Sequence, residues 1–191
     1  MNAEMERRWS LLVQQDDIVI VVGDLTAGLK NRKEDLRSLI GRLPGKKILV
    51  RGNHDHLKEK FYLDAGFLRV VDYISVCGLL FVHVPDTVTD ANLEKTGSPH
   101  PWASLTKKLR EKFNPVLTIH GHDHRANIPE LEGHFNCAAD RHNYMPFTLS
   151  TALRHAGIEN LTEQARKDIY TWLEEKVADD HEKNVTLELN L

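Results

Sequence analysis

Apolar and polar positions follow two patterns in the first part of the chain, one typical of a helix and one typical of a buried strand. Apolar residues recur at helical spacing among charged residues over residues 2–15, which predicts an amphipathic helix. The β-branched run at residues 18–22 predicts a strand that is buried on both faces and has a neighbouring strand on each side. The two patterns recur as a helix over residues 33–42 and a buried strand over residues 47–50. This alternation is typical of a layered α/β domain.

The middle of the chain is richer in short apolar runs. Residues 68–76 and 78–84 predict two strands joined by a turn in one hairpin, and residues 86–101 predict a polar loop. The elements expected after this loop are a helix, a short strand, a last strand and a C-terminal helix, over residues 102–113, 116–119, 136–140 and 161–178.

Composition narrows the class of protein. The 191 residues suit one domain, and 28 acids against 25 bases give a net charge of −3, so no general nucleic-acid-binding surface is expected. Cys77 and Cys137 lie in neither a CxxC nor a Cys/His finger spacing, which argues against a thiolate zinc site and for a reducing compartment. No apolar run approaches the ~20 residues that cross a bilayer. We therefore expect a soluble, cytoplasmic protein without a membrane partner.

Polar clusters follow four of the predicted strands. They are Gly23-Asp24, Gly52-Asn53-His54-Asp55, His83 and Gly121-His122-Asp123-His124. Each has a simple alternative, since Gly-Asp is common in turns and a single histidine in an apolar strand is more often a core residue. The carboxyl ends of strands in layered domains meet at one edge, and the glycines are expected to turn the backbone sharply there. Carboxylate, amide oxygen and imidazole together suit Mn²⁺, Fe²⁺ or Zn²⁺, so the whole set predicts a metal site.

In this order the clusters resemble the signature of the calcineurin-like metallophosphoesterases, which is Gly-Asp, Gly-Asn-His-Asp, a histidine ending a strand, and Gly-His-x-His. The resemblance covers residues 16–124, and residues 136–146 are similar to the small bacterial and phage members. It implies an α/β fold, a four-layer αββα sandwich of two mixed sheets flanked by helices. It also implies two divalent ions, of Mn, Fe, Zn or Ni, that bind a phosphate ester and activate water. Within a single domain, we expect a metal-binding core at residues 1–147 and a helical extension at residues 148–191.

The resemblance also assigns roles to single residues. The metal ligands would be Asp24, Asn53, His83, His122 and His124. Asp24 would bridge the two ions, His124 would bind the first, and the other three would complete the second site. His54 would lie over the phosphate and protonate the leaving oxygen or stabilise charge there. Asp55 or Asp123 either orients an imidazole or is an ordinary solvated residue. Four histidines match no motif and are expected to be surface or structural residues: His100, His134, His142 and His155.

The chain departs from the family pattern in two places. The family's strand ending in Asp-x-His, which supplies two ligands of the first ion, has no counterpart before Asp24. This predicts either an N-terminally incomplete chain or a protein with one ion. Ala27 stands where the protein Ser/Thr phosphatases carry an aspartate, which argues against a phosphatase of that type. The expected activity is metal-dependent hydrolysis of a phosphate mono- or diester, and the alternative is a non-catalytic scaffold or an inactive truncated form.

Overall fold

The computed structural model describes residues 2–25, 32–87, 100–124 and 132–158, together with residues 167, 170 and 171. The helices with defined bounds are α1 Asn2–Leu12, α2 Lys33–Arg42, α3 Glu59–Ala65, α4 Pro101–Phe113 and α5 Leu149–His155. The strands are β1 Ile18–Val22, β2 Lys46–Val50, β3 Phe67–Val71, β4 Ile74–Val76, β5 Leu79–Phe81, β6 Leu117–His120 and β7 His134–Asn136. A short 3₁₀ helix, Ala139–His142, follows β7. Among all the residues that the structure describes, no helix is both long and apolar enough to cross a membrane.

The first sheet consists of β1, β2 and β3, which run parallel in that order. β1 pairs with β2 from Ile18 opposite Lys46 to Val22 opposite Val50. Among the described strands β1 is therefore an edge strand, and all five of its residues are only half-buried. The expectation that residues 18–22 are buried on both faces between two strands was wrong for the described structure. An edge strand is covered less completely than a central one, although its sequence can be equally apolar.

The second sheet is mixed and has the order β4, β5, β6, β7. β4 and β5 form an antiparallel hairpin through Cys77 and Gly78, whereas β5, β6 and β7 run parallel. The resemblance implied two mixed sheets, and the described residues form one parallel and one mixed sheet. Residues 68–76, predicted as one strand, fall into two: β3 joins the first sheet and β4 joins the second. An apolar run shows that strands are present, but it does not show which sheet each of them joins.

The two sheets pack face to face between outer helices. α2 and α3 cover the outer face of the first sheet through residues such as Leu36 and Tyr62. α4 covers the outer face of the second sheet, where Leu109 packs against Leu80 and Val82. The core between the sheets includes buried residues from β2, from all four strands of the second sheet and from α5, among them Ile48, Val50, Val76, Leu79, Leu117, Ile119, Phe135 and Leu153. This arrangement confirms the four-layer αββα sandwich.

Three further outcomes concern single elements. The last strand, predicted over residues 136–140, is His134–Asn136, because Asn136 Oδ1 accepts a hydrogen bond from Ala138 N at 2.9 Å and turns the chain. α3 was not predicted, since its seven residues hold too few turns for a clear helical period. The predicted helix over residues 161–178 lies outside the described residues apart from 167, 170 and 171.

Candidate metal centre

Three of the predicted ligands lie together where the two sheets meet. The ligand atoms of Asp24, His83 and His122 are within 4.8 Å of one another. Asp24 follows β1 in the parallel sheet, whereas His83 and His122 follow β5 and β6 in the mixed sheet. Loops at the carboxyl ends of strands from both sheets therefore supply one cluster. The structure brings these side chains together, and their roles as metal ligands stay a prediction.

Backbone geometry fixes the direction of the Asp24 carboxylate. Gly23 has φ +76° and Asp24 itself has φ +56°, a left-handed conformation that is uncommon for residues with a side chain. The turn brings Asp24 Oδ1 to 3.0 Å from the backbone N–H of His54, which donates to it. Burial alone would raise the pKa of Asp24, but the His83 imidazole and the His54 donor outweigh burial and hold the pKa below its usual value. Asp24 is therefore a carboxylate at neutral pH.

His83 carries the observation that best tests whether a cation fits. Its side chain is 2% exposed, and its Nδ1 lies 2.9 Å from the carbonyl oxygen of Val22. A carbonyl oxygen only accepts hydrogen bonds, so Nδ1 carries a proton and donates it. Nε2 lies 3.1 Å from Asp24 Oδ2 but makes no hydrogen bond within the described residues. In the neutral ring its lone pair would face a carboxylate inside the protein, so either a proton or a metal ion is needed between the two atoms.

His122 and Asn53 form a second close pair of potential ligand atoms. His122 Nδ1 lies 2.9 Å from Asn53 Oδ1, and the His122 ring meets the His83 ring edge-on with centroids 5.3 Å apart. Neighbouring ligands of an octahedral ion with bonds of about 2.1 Å lie about 3 Å apart. The 3.1 Å separation at His83 matches that spacing, whereas the 2.9 Å separation at His122 is that of a hydrogen bond in which Nδ1 donates to Asn53 Oδ1. The donor set therefore fits a divalent cation in its chemistry, and the pair of Asp24 and His83 also fits in its dimensions.

The pKa of His122 predicts how the metal-free protein responds to acid. Desolvation by burial, then the charges of His83 and His100, lower the pKa of His122 from 6.5 to about 4. Between these two pH values the unfolded chain binds more protons than the folded chain, so stability is lost as the pH falls from 6.5 to about 4. For this half-buried ring we expect a loss of about 1 to 2 kcal/mol.

Urea unfolding of the EDTA-treated protein at several pH values measures this loss. In His122→Gln, the slope of the unfolding free energy against pH should become shallower between pH 4 and 6.5. The contribution of Asp24 does not confuse the result, because the pKa of Asp24 is lowered from 3.8 and its contribution disappears only below this window. An identical slope in the wild-type protein and the variant would contradict the assignment.

Two glycines allow the loops of the centre to approach one another closely. A Cβ on Gly23 would lie 2.2 Å from His83 Nδ1, and a Cβ on Gly52 would lie 2.2 Å from Asp24 Oδ1. Real Cβ atoms do not come so close to other atoms. The sequence led us to expect that Gly52 turns the backbone sharply, as Gly23 does. The chain does turn there, since Asp55 N donates to the carbonyl oxygen of Gly52 at 3.1 Å, but Gly52 has no positive φ, and the lack of space is what requires a glycine.

The remaining predicted site residues lie around this group. His54 is exposed, and its backbone N–H donates to Asp24 Oδ1 at 3.0 Å. Asp55 is buried and accepts a hydrogen bond from Gly52 N at 2.9 Å, so it closes its own loop. His124 is outside the group of three and pairs with Asp140, with His124 Nδ1 at 2.9 Å from Asp140 Oδ1. The roles of His54 and His124 stay predictions.

Two residues near the centre had no signal in the sequence. His100 directly precedes α4, and its ring centroid lies 5.6 Å from that of His122. The expectation that His100 is a surface or structural residue did not anticipate this contact. Asp140 belongs to the 3₁₀ helix and reaches His124 from there. No sequence motif could have suggested either residue. Each comes near the centre only because of where its helix lies in the folded chain.

Comparison with known proteins agrees with this geometry. Residues 3–126 match the Metallophos family, described as calcineurin-like phosphoesterase. The chain belongs to this family, whose members typically bind divalent metal ions. The match includes the loops that carry Asp24, Asn53, His83 and His122. The family thus accounts for the fold and for a group of candidate metal ligands at this position, while it identifies neither an ion nor a substrate.

Individual relatives are similar at modest identity. An uncharacterized protein of Methanocaldococcus jannaschii is 28% identical over 160 residues, which are 81% of this chain and 74% of that protein. The gene 66 protein of Mycobacterium phage D29 is 28% identical over 125 residues, which are 61% of this chain and 62% of that protein. The crystal structure of a protein of unknown function from Aquifex aeolicus superposes with a TM-score of 0.55 at 25% identity, covering 76% of this chain and 80% of the other.

Proposed function

We propose that this protein is a metal-dependent hydrolase of phosphate mono- or diesters. The observation that supports it most is the buried His83 Nε2, which faces the Asp24 carboxylate at 3.1 Å without a hydrogen bond. Such a pair is costly inside a protein unless a proton or a metal ion lies between the two atoms. The family of the chain consists of phosphoesterases, so a divalent cation in a hydrolytic site is the assignment that uses both facts.

The proposed ligands of this cation are Asp24, Asn53, His83 and His122. A bound divalent ion would supply positive charge to the phosphate and lower the pKa of a water molecule. The chain's own contribution is to hold one carboxylate, one amide oxygen and two imidazoles at fixed separations before any ligand arrives. Mn, Fe, Zn and Ni all suit this donor set. Whether His124, with Asp140 on its Nδ1, holds a second ion is part of the proposal's test.

His54 is the proposed acid. Its backbone N–H donates to Asp24 Oδ1 at 3.0 Å, which fixes the loop beside the ligands while leaving the ring exposed to a substrate. When the bond between phosphorus and the ester oxygen breaks, that oxygen leaves as an anion and needs a proton. An imidazole exchanges protons near neutral pH, so the His54 ring can give its proton to the departing oxygen.

Metal content and turnover together test the proposal. Purified protein is stripped with EDTA, equilibrated with Mn²⁺ and analysed for metal per chain, then assayed on p-nitrophenyl phosphate and bis(p-nitrophenyl) phosphate. We expect at least one bound ion per chain and hydrolysis of at least one ester, lost with EDTA and restored by Mn²⁺. Bound metal with no turnover of either ester would favour the non-catalytic scaffold. No bound metal would reject the site itself.

Replacing His54 with alanine should separate catalysis from metal binding. We expect His54→Ala to keep the metal content of the wild-type protein and to lose about 100-fold or more in kcat on phenyl phosphate, whose more basic leaving oxygen needs the proton that His54 donates. The neighbouring His56, an exposed ring 6.2 Å from that of His54, provides the matched control. His56→Ala should keep the wild-type rate within about twofold. Equal rates in His54→Ala and the wild-type protein would show that the role of His54 is wrong.

A further inference from the structure

His100 matches no sequence motif, yet its ring contacts the candidate metal centre. Its centroid lies 5.6 Å from that of His122, with the ring planes tilted by 54°, and the residue is half-buried. We propose that His100 binds the phosphoryl group of the substrate beside the metal ligands and so is a substrate-positioning residue of this site. This inference rests on the proposed function, because it needs a phosphate at the centre.

The position of His100 is beside the ligand cluster rather than within it. The atoms of Asp24, His83 and His122 lie within 4.8 Å of one another, and His100 does not belong to that group. An imidazole that lies beside a ligand ring without joining the ligand set is close enough to meet a molecule bound at the metal. In a phosphoesterase that molecule is the anionic substrate, and an imidazole N–H can donate to one of its phosphoryl oxygens.

The helix that begins after His100 is fixed to the strands that carry the metal ligands. Thr106 Oγ1 donates to the carbonyl oxygen of Val84 at 2.7 Å in a buried contact, directly after His83. One turn further on, Arg110 donates to Thr118 Oγ1 at 2.7 Å, on the strand that leads to His122. His100 is therefore placed by a docked helix of thirteen residues, which gives the precision that a substrate contact needs.

The charge distribution at this end of α4 also favours an anion. Pro101 occupies the first helical turn and has no N–H, and no described side chain caps that turn. The positive end of the helix dipole thus lies next to His100, on the side of the metal centre. The helix end alone would not define a site. Together with the His100 ring against His122, it gives a phosphate one hydrogen-bond donor and a favourable electrostatic field.

Inorganic phosphate is the probe for this contact. Its Kd for the Mn²⁺-loaded, full-length protein is measured by titration calorimetry in the wild-type protein, His100→Ala, His100→Gln and the control Lys107→Ala. Lys107 is exposed on the same helix, so its removal tests for general effects on α4. We expect His100→Ala to raise the Kd about tenfold or more, as for the loss of a hydrogen bond to a charged group. His100→Gln, which keeps an N–H donor, should recover part of the affinity, and Lys107→Ala should change the Kd less than twofold.

Metal content distinguishes this role from others. The Mn²⁺ content of both His100 variants should equal that of the wild-type protein, and a decrease would instead make His100 a metal ligand and overturn the inference. Equal phosphate Kd values in the wild-type protein and both variants would also overturn it. If the phosphate Kd values are equal but the wild-type protein hydrolyses an ester, only the role of His100 is rejected, and the hydrolase proposal stands. Conversely, phosphate binding that depends on His100, in a wild-type protein that hydrolyses neither ester, rejects only the hydrolase proposal.

Discussion

Replacing Asp24 with asparagine should remove the divalent ion and lower phosphoester hydrolysis by about 1,000-fold or more. Asp24 supplies the one negative charge within the group of three ligand residues. Asparagine keeps the shape of the side chain and an oxygen that can accept from His54 N, so the loop should persist. It removes the charge that attracts the ion and that opposes His83 Nε2. Loss of function should therefore come without loss of the fold.

Elemental analysis after equilibration with Mn²⁺, thermal melting and the ester assay are the three measurements. Asp16→Asn is the matched control, because it makes the same change of charge at an exposed acid shortly before the same strand. Asp24→Asn should melt within about 2 °C of the metal-free wild-type protein, which shows that the fold survives. Asp24→Asn with the metal content and turnover of the wild-type protein would reject Asp24 as a ligand. A fall in turnover of equal size in Asp16→Asn would show that net charge, not the ligand, matters.

Local pattern was sufficient for much of the fold. The helix predicted over residues 33–42 has the same bounds in the structure, because its apolar residues Leu36 and Ile40 face the sheet at clear helical spacing. The strands around residues 18–22 and 47–50 were also found. Pattern failed where partners decide the outcome. It did not separate β3 from β4, and it did not show that β1 lies at the edge of the described sheet.

The candidate site shows the same division between local and non-local information. Asp24, His83 and His122 were predicted as neighbours because each stands in a short polar cluster after a strand, and strand ends converge. His100 could not be found in this way, since its place beside His122 depends on how α4 docks on the second sheet. The need for a glycine at position 52 also depends on residues far away in the sequence. Only the structure shows that the atoms of Asp24 occupy the space that a side chain at Gly52 would take.

Replacing Gly52 with alanine should therefore damage the centre although no ligand is changed. The added Cβ would lie 2.2 Å from Asp24 Oδ1 and 2.3 Å from Asp24 N. One of these atoms is backbone, and Asp55 holds the same loop in place through Gly52 N, so the clash cannot be relieved by a side-chain rotation. We expect Gly52→Ala to lose Mn²⁺ binding and to cost about 2 to 4 kcal/mol of unfolding free energy in the metal-free protein.

Gly41→Ala makes the same chemical change where space is open, because nothing lies within 4 Å of a Cβ at Gly41 in α2. There alanine should stabilise the protein by about 0.5 to 1 kcal/mol, since glycine is the poorer helix former. Urea unfolding and Mn²⁺ titration of both variants give the comparison. If the 52–55 loop packs closely on Asp24, Gly52→Ala lowers the unfolding free energy and Gly41→Ala raises it. Metal binding is then lost only in Gly52→Ala. If Gly52→Ala binds Mn²⁺ as the wild-type protein does, the loop is not packed on the carboxylate, and the short separations that define the cation site lose their structural basis.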